Sequence, residues 1–411
     1  MSNKKQIGLF GFGCVGQGFY DILQASDVDA EVKKIGVIHP GKKRPIAESI
    51  FSYDPDEILE DDSIDLIVEA ITDHESAFTI VSKALEKGIP VVTANKKMVA
   101  TYLPQLLDLQ KKHKSPLLYE ASCCGAVPIV RTLEDYYGSE PLQELSGIFN
   151  GSSNFILTKM RVEGISYDEA VKEAQDLGFA EADPTLDVGG FDSLNKLCIL
   201  VNQAYGIYLS TDKPFRHGIQ NLSEVDLSIA EAANARIKLL AEAKIKGNNE
   251  LSAIVAPVFV SSEADLYGVE YEYNAVQVTG EYSGNQLYRG KGAGGHPTGS
   301  AVFADTLGVL NNYRYGYAKT SGLKQPILSD DLVFDVYLRG TPGLIPELEN
   351  KPDFIATIDE EKIVIVKASF RWLKEAEATL EESGLFLAVI PEESGLKESL
   401  TDALKSSVAM V

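Results

Sequence analysis

Cysteine is scarce: the 411 residues hold four, at positions 14, 123, 124 and 198. Two are adjacent and two are isolated. No spacing suits a zinc site or a secreted disulfide framework, so reduced thiols in a cytoplasmic protein are expected. Histidine is nearly as scarce, with five residues (39, 74, 113, 217 and 296). Basic residues are outnumbered, 38 Lys and Arg against 60 Asp and Glu, for a net charge of −22. Nucleic acid and anionic membrane both require a basic face, and this balance excludes them as partners. No apolar run approaches the ~20 residues of a membrane span. The opening MSNKKQIGLF has no apolar stretch long enough for a signal peptide. Internal repeats and low-complexity linkers are absent as well.

What remains is ordinary globular composition, 45% hydrophobic and 24% charged, with length for two or three domains. The first 130 residues alternate short apolar strands with helical spacing: KQIGLF, EVKKIGVIH, SIDLIVEAI, IPVVTANK and SPLLYEAS, with helices between. That order indicates a parallel sheet covered on both faces. From 131 to 322 the period changes. ELSGIFNGSSN, SAIVAPVFVS, NAVQVTGEY and QLYRGKGAGG read as strands, with helices at SYDEAVKEAQDLG and DSLNKLCILVNQAYG. This is an α+β substrate domain in expectation, and the late helix TGSAVFADTLGVLNNY is a candidate to return to the first domain. Residues 323–411 read strand, short helix at LIPELEN, hairpin, helix and strand, the order of a small ferredoxin-like module.

Gly11-Phe12-Gly13-Cys14-Val15-Gly16 forms G-x-G-x-x-G between a strand and a helix. Gly11 makes the tight turn, Gly13 admits a pyrophosphate, and Gly16 lets helix and strand approach. In the first βα turn this context reads as a dinucleotide site. The end of the second strand lacks the acidic residue that would hold a ribose 2′-hydroxyl. It offers Lys43 and Arg44 instead, which suit the 2′-phosphate of NADP; a solvated basic loop is the plainer alternative. Thr93, Asn95 and Lys96 end another strand, where ligands of open α/β sheets bind. A helix cap by Thr93 or Asn95 is an equal alternative.

The stretch GFAEADPTLDVGGFDSLNKL places Glu181, Asp183, Asp187 and Asp192 ahead of one cation, Lys196. Asp192 and Lys196 are four apart and share a helix face. A solvated pair is the plain reading. Yet the helix is apolar nearly all round, and Gly189-Gly190 allows close backbone approach just upstream. Clustered buried carboxylates require cations, here Lys196 and a substrate ammonium group.

Over roughly its first 320 residues the chain resembles the homoserine dehydrogenase family. GFGCVGQG, VVTANKKMVA, YEASCCGAVP, GIFNGSSNFILTKM, GFAEADPTLDVGGFDSLNKL and GAGGHPTGSAVFAD fall in that family's order. The resemblance implies NAD(P)H-dependent interconversion of L-aspartate 4-semialdehyde and L-homoserine, in threonine and methionine biosynthesis. It implies that Glu181 and Asp187 bind substrate. Lys196 would be the general acid, oriented and kept charged by Asp192, with Lys96 at the junction of nicotinamide and substrate and Gly294 beside the cofactor. It also implies a monovalent cation, usually sodium, held by Glu120 and the carbonyls of Cys123, Gly125 and Val127. A homodimer or homotetramer follows, and a degenerate ACT-like tail suggests threonine as an effector. The chain departs from the family at Thr72-Asp73, where a glycine pair is usual, so a side chain there would narrow the nicotinamide pocket. Two other readings compete. A thiohemiacetal-type semialdehyde dehydrogenase would use Cys123 or Cys124 but needs a histidine base in a matching motif. A nucleotide-responsive regulator would leave the Asp192–Lys196 helix unexplained.

Overall fold

The computed structural model describes residues 4–322, 324–392 and 395–408. The chain divides into two compact units, each discontinuous in sequence. Unit 1 comprises residues 1–139, 198–210 and 290–323, and unit 2 comprises 140–197, 211–289 and 324–411. The boundary falls inside one helix, between Leu197 and Cys198.

Unit 1 holds six parallel strands: β1 (Lys5–Phe10), β2 (Ala30–Gly36), β3 (Phe51–Ser52), β4 (Leu66–Glu69), β5 (Val91–Thr93) and β6 (Leu117–Leu118). Their order is β3-β2-β1-β4-β5-β6, the doubly wound dinucleotide-binding order. Ile7, Leu9, Leu66, Val68, Val91 and Val92 are fully buried, which is why these strands read as continuous apolar runs. Helices α1 (Cys14–Gln24), α2 (Asp56–Leu59), α3 (His74–Glu86), α4 (Lys96–His113) and α5 (Ile129–Asp135) follow the strands.

Unit 2 is built on an eleven-stranded mixed sheet. Its elements are β7 (Leu142–Ile148), α6 (Gly151–Glu163), α7 (Tyr167–Asp176), α8 (Thr185–Val188) and then α9 (Phe191–Tyr205), the helix cut by the unit boundary. Next come β8 (Phe215–Arg216), α10 (Glu224–Ala232), β9 (Ala235–Lys246), β10 (Glu250–Ser261), β11 (Tyr273–Gly280) and β12 (Gly284–Lys291). The chain then contributes α11 (Gly295–Leu310) and α12 (Ala318–Gly322) to unit 1. It returns for β13 (Ile327–Leu328), β14 (Val333–Gly340), β15 (Phe354–Ile358), β16 (Glu361–Ser369), α13 (Phe370–Glu382), β17 (Phe386–Ile390) and α14 (Leu396–Val408).

Three expectations change. The segment GIFNGSSN is not one strand: β7 stops at Ile148, and Asn150 caps α6 by accepting the Ser153 N–H. The helix was hidden because residues 151–160 are all buried, leaving no polar face to reveal a 3.6 period. The LIPELEN segment is irregular chain with bends, not a helix.

The third change concerns residues 323–411, expected as a separate ACT-like module. Strands β17-β14-β16-β15 do take a ferredoxin-like order, but they extend the sheet of unit 2, through parallel pairing of Val389 with Val258 of β10. The three-part division at 130 and 322 therefore gives way to two units. The reason is the core. Val258, Val389, Val336 and Val366 are register partners across four strands and belong to one apolar cluster with Phe370, Leu373 and Leu380 of α13. Splitting there would expose that cluster to water, at ~25 cal/mol for each Å² of apolar surface.

Candidate active site

Unit 1 supplies a dinucleotide cradle. Gly11 has φ +93, and a Cβ on it would lie 2.5 Å from the Ala70 carbonyl oxygen. A Cβ on Gly16 would collide with the Gly11 carbonyl, whereas at Gly13 nothing lies within 4 Å. The three glycines thus divide as turn, helix–strand approach and open space. Gly13 is also the N-cap of α1 and offers no side-chain cap. The first-turn N–H groups of this eleven-residue helix suit a pyrophosphate. Phe12 packs edge-on against Phe51 at 5.4 Å, and the Arg44 guanidinium lies 4.8 Å over the same ring. Arg44 also donates to the carbonyls of His39 and Lys42, so it shapes its own loop. Lys43 is exposed.

Thr93 and Asn95 make local hydrogen bonds at the end of β5. The Thr93 hydroxyl donates to the Glu69 carboxylate and accepts the Asn95 N–H. Asn95 caps α4 through the Met98 N–H. Burial pushes Glu69 up to about 7. Lys96, half-buried, opens α4. Gly294, at φ +112, is the N-cap of α11. Asp73, expected to intrude on the nicotinamide pocket, caps α3 by accepting the Ser76 N–H at 2.8 Å.

Unit 2 holds a buried lysine–aspartate pair. Lys196 Nζ donates to Asp192 Oδ2 at 2.7 Å and to the Phe149 carbonyl at 2.6 Å. Both side chains are nearly excluded from solvent, at 8% and 3% exposure, so this is not a solvated surface pair. Asn150 was not anticipated. Its Nδ2 donates to Asp192 at 2.8 Å and to Asp187 at 2.7 Å, while its Oδ1 caps α6. One amide therefore fixes the spacing of two carboxylates. Asn274, fully buried on β11, donates to the same Phe149 carbonyl at 2.9 Å. An asparagine just before a Ser-Ser run is an N-cap signal in sequence; nothing in sequence marks Asn274.

The acidic stretch does not converge as a whole. Glu181 and Asp183 are exposed, and Asp183 is occupied with the Thr185 hydroxyl and N–H. The surrounding loop spreads these carboxylates where a cluster was expected; Asp187, Asp192 and Lys196 are the ones brought together.

Glu120 is buried beneath α5, its two oxygens accepting the Val130 and Arg131 N–H groups at 2.9 and 2.7 Å. Burial and the neighbouring Asp305 carboxylate push it up to about 8. Cys124 and Gly125 turn the chain through φ 53 and 59. A buried carboxyl beside the Asp305 acid is a group whose charge a bound cation would neutralise. Among the described residues no group of three or more His, Cys, Asp or Glu is placed to hold a metal. Cys123 and Cys124 are both fully buried, which disfavours either as a thiohemiacetal nucleophile. No helix among the described residues is long and apolar enough to cross a membrane.

Comparison with known proteins identifies the family. A family model described as homoserine dehydrogenase matches residues 128–307, and one described as its NAD-binding domain matches residues 11–120. Homoserine dehydrogenase of Bacillus subtilis (strain 168) is 34% identical over 326 residues, 77% of this chain and 75% of that protein. The crystal structure of a homoserine dehydrogenase from Thiobacillus denitrificans superposes with TM-score 0.82 at 29% identity, covering 94% of this chain and 98% of that one. A hyperthermophilic archaeal homoserine dehydrogenase in complex with NADPH gives TM-score 0.66 at 28% identity, over 76% of this chain and 99% of that one. With a nucleotide cradle in one unit and a buried lysine–aspartate pair in the other, the chain belongs to the homoserine dehydrogenase family of NAD(P)-dependent oxidoreductases.

Proposed function

We propose that the chain interconverts L-aspartate 4-semialdehyde and L-homoserine with NADP as the preferred nucleotide and Lys196 as general acid and base. One observation carries the assignment of roles: the Lys196 ammonium is buried and held at once by Asp192 and the Phe149 carbonyl. The bound nicotinamide supplies or accepts the hydride. Lys196 delivers the proton to the carbonyl oxygen in reduction and takes it from the hydroxyl in oxidation. Its charge stabilises the developing alkoxide. Asp187 binds the substrate ammonium group, joined by Glu181, and Lys96 orients the reacting end. Thr93 supports the cofactor site through Glu69.

NADP preference is supported by the basic loop at Lys43 and Arg44 and by the absence of an acidic residue there. Sodium or a similar cation at Glu120, with the carbonyls of Cys123, Gly125 and Val127, would brace unit 1. Strand β12 is half-exposed along its length and ends the sheet, and an uncovered edge favours pairing with a second copy; light scattering would then give twice the chain mass. The ferredoxin-like strand order keeps threonine as a candidate effector. A thermal-shift titration, with and without NADP, tests this, and no shift removes it.

The deciding experiment offers L-homoserine with NADP and with NAD and follows reduced-nicotinamide absorbance. Faster reduction of NADP is expected. No reduction of either nucleotide, at alkaline pH with sodium present, would sink the assignment.

A further inference from the structure

We infer that Arg216 is a positioning residue for Asp187 and Asp192, and that the C-terminal stretch acts on the reaction through it. The inference rests on the reaction proposed above. Asp187 lies at the end of α8, one residue before its last, and Asp192 is the second residue of α9; the segment joining them is Val188-Gly189-Gly190-Phe191. Gly190 has φ +81, so the turn has no side chain of its own to stiffen it at that point. Arg216 supplies the stiffening from outside. Its Nη1 donates to the Gly189 carbonyl at 2.7 Å, and its guanidinium lies 3.7 Å over the Phe191 ring. Three residues on, the Ile219 N–H donates to the Val188 carbonyl at 2.8 Å. A Cβ on Gly218 would collide with that same carbonyl. Residues 216–219 thus grip the turn from Val188 to Phe191.

Arg216 is almost fully buried, and a buried guanidinium requires anionic partners. They come from α13: Nη2 pairs with Glu381 and, at 3.8 Å, with Glu377. The strap itself is tied to β17, since His217 Nε2 accepts the Leu387 N–H and Asn221 Nδ2 donates to the Leu385 carbonyl at 3.1 Å. Both α13 and β17 belong to the C-terminal stretch. The sensitive element is Asn150, whose single amide spans Asp187 and Asp192. Displacing the turn by a fraction of an ångström opens one of its two bonds and changes the spacing that meets the substrate.

The test compares wild type with Arg216→Met, Arg216→Lys and Glu381→Gln in homoserine oxidation. In Arg216→Met the KM for L-homoserine is expected to rise roughly tenfold or more, because small misplacements of binding groups are costly. The KM for NADP should stay within twofold. Arg216→Lys should recover part of the loss, keeping the charge but not the planar fork. Glu381→Gln should raise the homoserine KM in the same sense by a smaller factor. A merely structural role would lower Tm in all three and leave both KM values unchanged in the folded fraction. That result, or parallel rises in both KM values, overturns the inference alone. No turnover by wild type overturns the proposed reaction and this inference with it.

Discussion

Lys196 and Asp192 were legible because the helix repeat brings residues four apart onto one face, and an apolar helix gives such a pair nowhere to go but inward. Replacing Lys196 with Met should lower kcat by about 10²–10⁴, the usual contribution of a general acid. NADP binding, measured by fluorescence titration, should persist. The partners Asn150 and Asn274 were not legible as site residues, since an amide carries no charge pattern and both come from elements far from Lys196 in sequence. The expected clustering of Glu181 and Asp183 failed for the opposite reason: four carboxylates in sequence suggest a cluster, but a loop fans them out. Glu69 gives a pH prediction. Its folded pKa, about 7, lies above the ordinary 4.5, so its contribution to stability is complete below pH 4.5 and is lost as pH rises through 7. Glu69→Gln, which cannot ionise, should show a flatter Tm between pH 4.5 and 7 than wild type. An equal slope in both would refute the assignment. At Lys43 and Arg44, reversal to Glu should cost NADP at least tenfold in kcat/KM while sparing NAD, and equal losses would refute the loop's role.

Among elements, α1 and α11 show what spacing of small residues does. A Cβ on Gly18 would strike the Gly295 carbonyl, and one on Gly299 would lie 2.6 Å from the Phe19 nitrogen. The two helices meet backbone to backbone, which is how α11 joins unit 1 from 270 residues away. Gly299→Val should therefore destabilise by about 1–3 kcal/mol, the ordinary cost of overpacking, and should weaken NADP binding because α1 carries the phosphate cradle. Unchanged Tm and unchanged NADP affinity would count against this contact. Elements with a wet face and a dry face, such as α3 and α13, were readable from sequence. Helix α6, buried over ten residues, and β3, two residues long, were not. Caps mark these helix starts where periodicity does not: Asn95, Asn150 and Ser369 each accept an N–H three residues on, each worth ~1 kcal/mol.

At the scale of the molecule, the two kinds of sheet and the reaction class were legible, while the division of the chain was not. Sequence is read in order, and this fold is not assembled in order. The C-terminal strands complete the sheet of unit 2, and α11 completes unit 1, because each buries apolar surface that its sequence neighbours leave open. One consequence concerns synthesis. The nucleotide cradle is among the first segments to leave the ribosome, but the helix that backs α1 is among the later ones, ending at Leu310. At 5–20 residues per second the wait after residue 139 is roughly ten to thirty seconds. During it the glycine face of α1 lacks its partner. Nascent chains arrested after residue 139 should be protease-sensitive and indifferent to NADP. Chains arrested far enough past residue 323 for that helix to clear the exit tunnel should gain protection from the nucleotide.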